Sequence, residues 1–338
     1  MFHGTVKDTP VQIGFLLLPN FSMGGFVSAV EPLRLANWVS DNTLYRWELF
    51  SRDGRPVAGS NGISVNVDRA IAEVETHPMV FVCGGIDIRN QEDDKVLSWL
   101  RRLARRGARL GALCTGTHTL ARAGLLDNHR CTIHWENLPA FVEEFPHIEV
   151  TDDLYEIDRG RLTCAGGTAA LDMMLHFIAE QFGRELEMAV SEELIYGNIR
   201  EGTDVQRIAM PQRFGVTHGK LLEVIAIMEE NLERPKSQQD LAGAVGLSTR
   251  QLERLFRKYL QRTPTRFYLE LRLKRARQLL LQTAMSVLDV ALAAGFVSAS
   301  HFSKCYRDHY GCAPRDERRA LLGGAVEKPL SLEGEGLG

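Results

Sequence analysis

The sequence has few long apolar runs and no closely paired cysteines, and both absences restrict the class of protein. No stretch of its 338 residues approaches 18 consecutive apolar positions, which excludes a membrane-spanning helix. The first ten residues lack the apolar core and cleavage site of a secretory signal. The six cysteines form no CxxC pair, and without an export signal we expect them to be reduced thiols. We therefore predict a cytoplasmic protein without a cofactor, a metal or a membrane contact.

Charge is nearly balanced overall but unevenly distributed. The formal net charge is −3, yet residues 219–319 hold 18 Lys and Arg against 11 Asp and Glu, a net of +7. The rest of the chain holds 22 against 32, a net of −10. A basic part joined to an acidic part favours a polyanion-binding module and a separate regulatory or catalytic module, with chance surface variation as the alternative.

The first half of the chain alternates apolar, strand-like runs with helical segments. The runs are Val11–Leu18, Tyr45–Ser51, Met79–Cys83, Ala108–Leu113 and Arg161–Ala165. Strands separated by helices predict a parallel sheet with helices on both faces, a flavodoxin-like α/β domain. From about Val216 the pattern is helical throughout, which predicts a second, all-α domain.

Composition also predicts the boundaries between these parts. We expect a ligand-sensing domain over residues 1–200 and a linker over 201–215, where apolar periodicity is lost and Gly202, Pro211 and Gly215 occur. The helical domain would cover 216–320, followed by a disordered tail over 321–338.

The helical half contains a unit of about 50 residues that occurs twice. Leu241–Leu247 (LAGAVGL) corresponds to Val290–Phe296 (VALAAGF). Each unit reads as a short helix, a turn and a second helix, with the turn at Gly246 or Gly295 and the second helix capped by Ser248 or Ser298. Two helix-turn-helix units, both with exposed polar second helices, are thereby predicted.

The second helix of each unit carries an apolar stripe on one face and polar residues on the other. The outward residues are Thr249, Arg250, Glu253, Arg254 and Arg257 in the first unit and Ser300, His301 and Lys304 in the second. We expect the two helices to lie about 34 Å apart, one turn of DNA, and to enter successive major grooves. Arg250 and Arg254 would read base edges and the other cations would hold phosphates, whereas a merely solvated face is the alternative for any single charge.

These features resemble a known family of DNA-binding domains. Residues 238–319 are closely similar to the AraC-type domain, and the second unit, VALAAGFVSASHFSKCYRDHYGCAPRDER, is very near that family's signature. The resemblance implies a two-headed reader of DNA in which one chain supplies both heads.

In the acidic half, a cysteine stands at a predicted strand-to-helix turn. Cys114 lies in the sequence Ala-Leu-Cys-Thr-Gly, where a helix dipole is expected to lower the thiol pKa and backbone amides to bind an oxyanion or a carboxylate. The turn resembles the nucleophile elbow of hydrolases. His134, 20 residues later, is a candidate partner for Cys114, with a buried thiol and a core histidine as the alternative.

The order of motifs over residues 11–196 resembles the ThiJ/PfpI superfamily of class I amidotransferase-like domains. The motifs are LLLPNF, CGG, ALCTG, TIHW and CAGGT. Many enzymes of that superfamily carry an acid after the first strand, where this chain has Ser-Met-Gly-Gly at 22–25, and PfpI-type proteases carry a His where this chain has Thr115. The pair His134 and Glu136 resembles part of the amidotransferase triad but stands earlier in the chain. No residue is therefore predicted to be catalytic, and the pocket is expected to bind rather than react.

The predicted pocket lies where the strands end and the helices begin. Its residues are Cys114, Thr115 and Gly116 at the floor, Gly84, Gly85, His134 and Trp135 as walls, and Gly167 with Thr168 at a second donor-rich corner. Trp135 is expected either to face a cationic ligand, by an attraction of roughly 0.5–2 kcal/mol, or to belong to the core.

The two-domain architecture as a whole resembles the GlxA family of bacterial transcriptional regulators, whose members answer to small nitrogenous metabolites such as arginine, carnitine or glycine betaine. The resemblance implies a sequence-specific activator, with promoter DNA, such a metabolite and RNA polymerase as partners and a homodimer through the N-terminal domain. The alternatives are a cysteine-dependent hydrolase or deglycase, and a redox sensor that acts through Cys114.

Overall fold

The chain divides into two compact units between Ile208 and Ala209, here called the N-terminal and C-terminal domains. The structure, a computed structural model, describes residues 10–88 and 93–322. The predicted disordered tail lies outside the described residues from position 323 onward.

The N-terminal domain is built on a mainly parallel sheet. Its strands are β1 Val11–Leu17, β2 Tyr45–Ser51, β3 Val57–Ala58, β4 Ser64–Val65, β5 Arg69–Ala70, β6 Met79–Cys83, β7 Arg109–Leu113, β8 Arg130–Thr132, β9 Glu149–Thr151, β10 Tyr155–Asp158 and β11 Arg161–Cys164. Seven of them form one sheet in the order β10-β11-β7-β6-β1-β2-β5. All neighbours in it are parallel except β10, which pairs antiparallel with β11.

Helices cover both faces of this sheet, as predicted. They are α1 Met23–Ser40, α2 Asp94–Arg105, α3 Gly116–Arg122, α4 Leu138–Glu144, α5 Ala169–Phe182 and α6 Arg184–Glu193. Because successive strand residues point to opposite faces, Phe15 and Leu17 pack with α1, α5 and α6, whereas Leu16 and Leu18 pack with α2, α3 and α4. The two apolar layers hold the sheet between them, so that the strand ends present their loops at a single edge.

The C-terminal domain is helical throughout its described residues. Its helices are α7 Met210–Phe214, α8 Gly219–Glu230, α9 Gln238–Ala244, α10 Thr249–Leu260, α11 Pro264–Gln282, α12 Val287–Ala293, α13 Ala299–Tyr310 and α14 Pro314–Leu322. The helix pairs α9–α10 and α12–α13 are the two predicted helix-turn-helix units. The helix between them, α11, buries Phe267 and Tyr268 near its start and Leu279 and Leu280 near its end.

Residues 201–215, predicted to be a linker, are divided between the domains. Gly202 and Gln206 are hydrogen-bonded to β-strand segments of the N-terminal domain, and the boundary falls after Ile208. Beyond it, Arg213 of α7 pairs with Glu229 of α8 at 2.6 Å, and Phe214 lies edge-on to Phe267. Residues 201–215 lack apolar periodicity, but the long-range contacts of a few polar and aromatic side chains hold them in place.

Gly111 on the central strand β7 provides a test of the packing. A Cβ there would lie 2.2 Å from ring carbons of Phe81, so we expect Gly111→Ala to destabilise the N-terminal domain by about 1–3 kcal/mol. The four tryptophans, Trp38, Trp47, Trp99 and Trp135, all lie in this domain, so tryptophan fluorescence during urea unfolding of the full chain reports on it.

Gly24 in the first turn of α1 is the matched control, because no atom lies within 4 Å of a Cβ placed there. Gly24→Ala should leave the unfolding midpoint unchanged or raise it slightly. Equal midpoints for Gly111→Ala and the unsubstituted protein would contradict the packing described here.

Candidate functional site

Cys114 occupies a tight turn between β7 and α3. Its φ of +59° lies in the left-handed region, which is rare for a residue other than glycine. Its amide donates to Cys164 O at 3.0 Å, which joins the turn to the end of β11. The predicted strand-to-helix elbow is therefore present, with its strained residue held by a neighbouring strand.

The predicted floor of the pocket, one predicted wall and the loop of the second corner meet at this carboxyl edge of the sheet. A Cβ at Gly84 would lie 2.3 Å from the amide nitrogen of Gly116, and a Cβ at Gly166 would lie 2.6 Å from Cys114 Cβ. Thr115 Oγ1 donates to Gly85 O at 2.7 Å. Backbone therefore packs directly on backbone around the thiol, and larger residues at Gly84 or Gly166 would separate these loops.

The Cys114 thiol is not activated. Burial raises its pKa to about 11; the Thr115 amide opposes this shift, and the Glu136 carboxylate adds to it. The sequence-based expectation of a lowered pKa is therefore wrong, because α3 has only seven residues and burial outweighs its dipole. At neutral pH the group is a thiol, which is a poor nucleophile.

His134 does not complete a catalytic pair. Its Nδ1 accepts from the Glu136 amide at 3.4 Å, and among the described residues no hydrogen bond joins it to Cys114. Burial lowers the His134 pKa, against the opposing effect of Glu136, and so favours the neutral imidazole. Glu136 itself is exposed. These three residues lie near one another without the chain of hydrogen bonds that a triad needs.

A buried carboxylate beside the second corner was not predicted. Asp172 on α5 is fully buried, and its Oδ1 accepts from the Tyr196 hydroxyl and the Arg200 amide, both at 2.9 Å. The Arg200 guanidinium donates to Asp172 Oδ2 at 2.6 Å and to Thr168 Oγ1 at 2.7 Å. An aspartate inside the apolar run of α5, AALDMML, is the signal by which the sequence could have indicated this cluster.

Residues 196–208, here called the strap, lie against the N-terminal domain and end at its boundary. Beyond the Asp172 contacts, Gln206 Nε2 donates to Thr132 Oγ1 at 2.9 Å and to Ile133 O at 3.0 Å. The Arg207 guanidinium lies 5.1 Å from the centre of the Trp135 ring. The strap thus contacts Thr168, predicted at the second corner, and Trp135, predicted as a wall. The cation facing Trp135 in this structure is a side chain of the protein itself.

The two recognition helices, α10 and α13, are built alike. The Ser248 and Ser298 side chains accept from the amides of Gln251 and His301, at 3.3 and 3.2 Å, and so cap the helices. Each helix buries two side chains against its own unit, Leu252 and Phe256 in α10 and Phe302 and Tyr306 in α13. The opposite faces of both helices are left to solvent.

Seven of the eight predicted DNA contacts lie on those exposed faces. They are Thr249, Arg250, Arg254, Arg257, Ser300, His301 and Lys304. Glu253 differs, because it is half-buried and its Oε1 accepts from Gln238 Nε2 at 3.0 Å. His301 Nε2 lies 3.3 Å from Cys305 Sγ, one turn further along α13.

Within residues 10–88 and 93–322, no helix has the length and apolar character needed to cross a bilayer. Those ranges also contain no cluster of three or more His, Cys, Asp or Glu side chains placed to hold a metal ion.

Comparison with known proteins agrees with this architecture. Residues 15–180 match the DJ-1/PfpI family and residues 241–320 match a helix-turn-helix domain family. The chain is 50% identical to the HTH-type transcriptional regulator GbdR of Pseudomonas aeruginosa over 92% of its own length and 84% of that protein. It is 40% identical to the HTH-type transcriptional regulator GlxA of Rhizobium meliloti, over 91% of this chain and 95% of that one.

The chain belongs to the GlxA family of HTH-type transcriptional regulators. The solved structure of an AraC family transcriptional regulator from Pseudomonas putida is 29% identical to it, with a TM-score of 0.51 over 55% of this chain and 100% of that chain. As a GlxA-family member, the chain is a DNA-binding regulator, like the relatives that match more than nine-tenths of its length.

Alkylation tests the state of Cys114 in this GlxA-family regulator. With a pKa of about 11, its reaction with iodoacetamide should be slow at pH 7 and should still be accelerating between pH 9 and pH 11, as the thiolate fraction grows. Peptide mass spectrometry of the native protein would measure each cysteine separately. The half-exposed Cys305 is the internal control, and faster labelling of Cys114 than of Cys305 at pH 7 would contradict the assignment.

Proposed function

We propose that this chain is a transcriptional activator whose response is controlled by a small nitrogenous metabolite bound in the N-terminal domain. The observation that carries the proposal is the strap, which contacts Thr168 and Trp135, two residues of the predicted pocket, and leads directly into the DNA-binding domain. From the family resemblance, we further propose that the chain forms a homodimer through the N-terminal domain and contacts RNA polymerase at promoters.

On the DNA side, α10 and α13 would each enter a major groove. Arg250 and Arg254 stand one turn apart on the exposed face of α10, which suits bidentate contacts to guanine O6 and N7. Ser300, His301 and Lys304 would serve the second groove, while Thr249 and Arg257 hold phosphates. The Glu253 carboxylate would meet the DNA in a single orientation, because it already accepts a hydrogen bond from Gln238.

The chemistry of the pocket corners supports a ligand that carries both charges. Trp135 already faces a guanidinium, so its ring suits a cationic nitrogen that competes with Arg207. Arg200, beside Thr168, suits a carboxylate, as do the amides of Thr115 and Gly116. An amino acid or a betaine has both groups. Gly84, Gly85, His134 and Gly167 would complete the walls around the Cys114 thiol.

The strap would carry the signal to the C-terminal domain. A ligand that competes with Arg207 for Trp135, or with Thr168 for Arg200, favours a different arrangement of residues 196–208. Such a ligand shifts the protein only as far as its affinities for the two arrangements differ. The enzymatic and redox alternatives receive no comparable support, because burial holds Cys114 as a thiol.

The DNA-reading role of α10 is tested by Arg254→Ala. Loss of a base-edge contact should weaken binding to a selected specific duplex by about 1–3 kcal/mol and relax the preference at one base pair. Gel-shift titration of the full chain measures both effects. The control is Arg262→Ala, since Arg262 is already paired with Glu270 at 2.7 Å and lies beyond α10. Equal losses for the two variants would count against base reading by Arg254.

The ligand is tested by thermal melting of the full chain, followed by tryptophan fluorescence. Arginine, other amino acids, carnitine, glycine betaine and polyamines form the panel. A ligand present at 100 times its dissociation constant should stabilise the N-terminal domain by roughly 2.7 kcal/mol. A panel without any shift would contradict a nitrogenous ligand of this class.

Gln206→Ala separates binding of the ligand from transmission of its signal. The side-chain amide of Gln206 donates to Thr132 and Ile133, which are not among the residues of the predicted pocket. We therefore expect the variant to keep the melting shift with the panel ligand. In a reporter assay, that ligand should change transcription several-fold less with the variant than with the unsubstituted protein. A ligand response equal to that of the unsubstituted protein would exclude the strap from signalling.

A further inference from the structure

The turns of the two helix-turn-helix units share a backbone conformation but have different surroundings. Gly246 and Gly295 both have positive φ, +62° and +75°. A Cβ at Gly246 would meet only the end of the flexible Lys220 side chain, at 3.7 Å. A Cβ at Gly295 would lie 2.4 Å from Leu232 O and 2.8 Å from ring carbons of Pro235. The second turn is therefore pressed against residues 231–236, the loop that leads into the first unit.

Arg272 of α11 holds the second turn from the other side. Its Nε donates to Ala294 O at 2.9 Å and its Nη2 donates to Gly295 O at 2.7 Å. The guanidinium also lies 4.3 Å from the centre of the Phe296 ring. A planar fork that binds two successive carbonyls and stacks on an aromatic ring fixes both the position and the tilt of the turn.

Tyr268, one helical turn earlier on α11, holds the loop of the first unit. Its hydroxyl donates to Asn231 O at 2.6 Å and accepts from the Lys236 amide at 3.4 Å. Both ends of the loop are thus tied to one side chain. Residues four apart on a helix lie on the same face. Tyr268, which binds the loop, and Arg272, which binds the turn, therefore hold the two segments side by side along α11.

We propose that Tyr268, Arg272 and Gly295 are positioning residues that set the distance and orientation between α10 and α13, and hence the spacing of the two DNA segments that the protein accepts. The loop leads into α9, the first helix of the unit that contains α10, and the turn leads into α13, so a fixed loop and turn fix both recognition helices. The inference rests on the proposed reading of DNA by both units. One inserted base pair moves the second segment by about 3.4 Å and rotates it by roughly 35°, which a rigid pair of heads cannot follow.

The test compares binding to two duplexes by the full-length protein. The first is selected by the unsubstituted protein from a random library of about 24 base pairs, and the second carries one base pair inserted between its two protected segments. The unsubstituted protein should bind the inserted duplex about tenfold or more weakly. The ratio of the two affinities, rather than either affinity alone, reports on positioning.

Gly295→Ala and Gly246→Ala form the matched pair of variants. Both place an alanine at positive φ, but only the first also meets a neighbouring backbone. We expect Gly295→Ala to bring the ratio of the two affinities close to one. Gly246→Ala should leave that ratio unchanged, including when it weakens binding to both duplexes. Arg272→Gln leaves the glycine intact and should also flatten the ratio. It keeps the proposal testable if Gly295→Ala does not fold, as judged by circular dichroism.

Two results would overturn the proposal in distinguishable ways. If Gly295→Ala and Arg272→Gln weaken binding but keep the ratio of the unsubstituted protein, the junction is merely structural and reading by two heads stands. If the unsubstituted protein itself binds both duplexes equally, the reading of DNA by two fixed heads fails, and the junction proposal fails with it.

Discussion

The buried carboxylate of Asp172 holds the end of the N-terminal domain in place. It has no access to water, so its charge is tolerable only because Tyr196 and Arg200 surround it with donors. Those two residues belong to the strap, which therefore lies on the sheet edge instead of leaving it after α6. Removing either partner would leave a buried charge with fewer hydrogen bonds, at a cost of several kcal/mol. The corner at Thr168 and the path of the chain toward Ala209 both depend on this cluster.

The same edge of the sheet carries the elbow of Cys114, in a fold that this regulator shares with the DJ-1/PfpI family. The elbow of Cys114 keeps the tight backbone packing that such a turn requires, yet burial leaves the thiol protonated. The loops of Gly84 and Gly166 pack against this turn, while the strap places Arg200 on Thr168 and Arg207 over the Trp135 ring. The basic domain carries exposed cations on two capped helices.

Local patterns in the sequence predicted the elements that depend on local order. The apolar runs located β1, β2, β6, β7 and β11, and the repeat with its serine caps located both recognition helices. The short edge strand β10 was missed, because four residues with mixed burial carry little periodicity. Residues 201–208 of the strap were predicted to belong to a linker over 201–215, because their contacts are long-range: Gln206 and Thr132 are 74 positions apart. The pKa of Cys114 was predicted in the wrong direction, because its burial depends on distant segments such as the loop after β11, where Gly166 lies against its side chain. The restraint of Glu253 by Gln238 joins two helices and has no sequence signature.

A hydroxyl-radical footprint of the full-length protein on its selected duplex shows whether α10 and α13 both contact the DNA. Two helices held on one rigid scaffold should protect two patches about ten base pairs apart on one face of the DNA, and Lys304→Ala should weaken only one of them. A single patch, or two patches on opposite faces, would contradict the two-headed reading on which this account of the molecule depends.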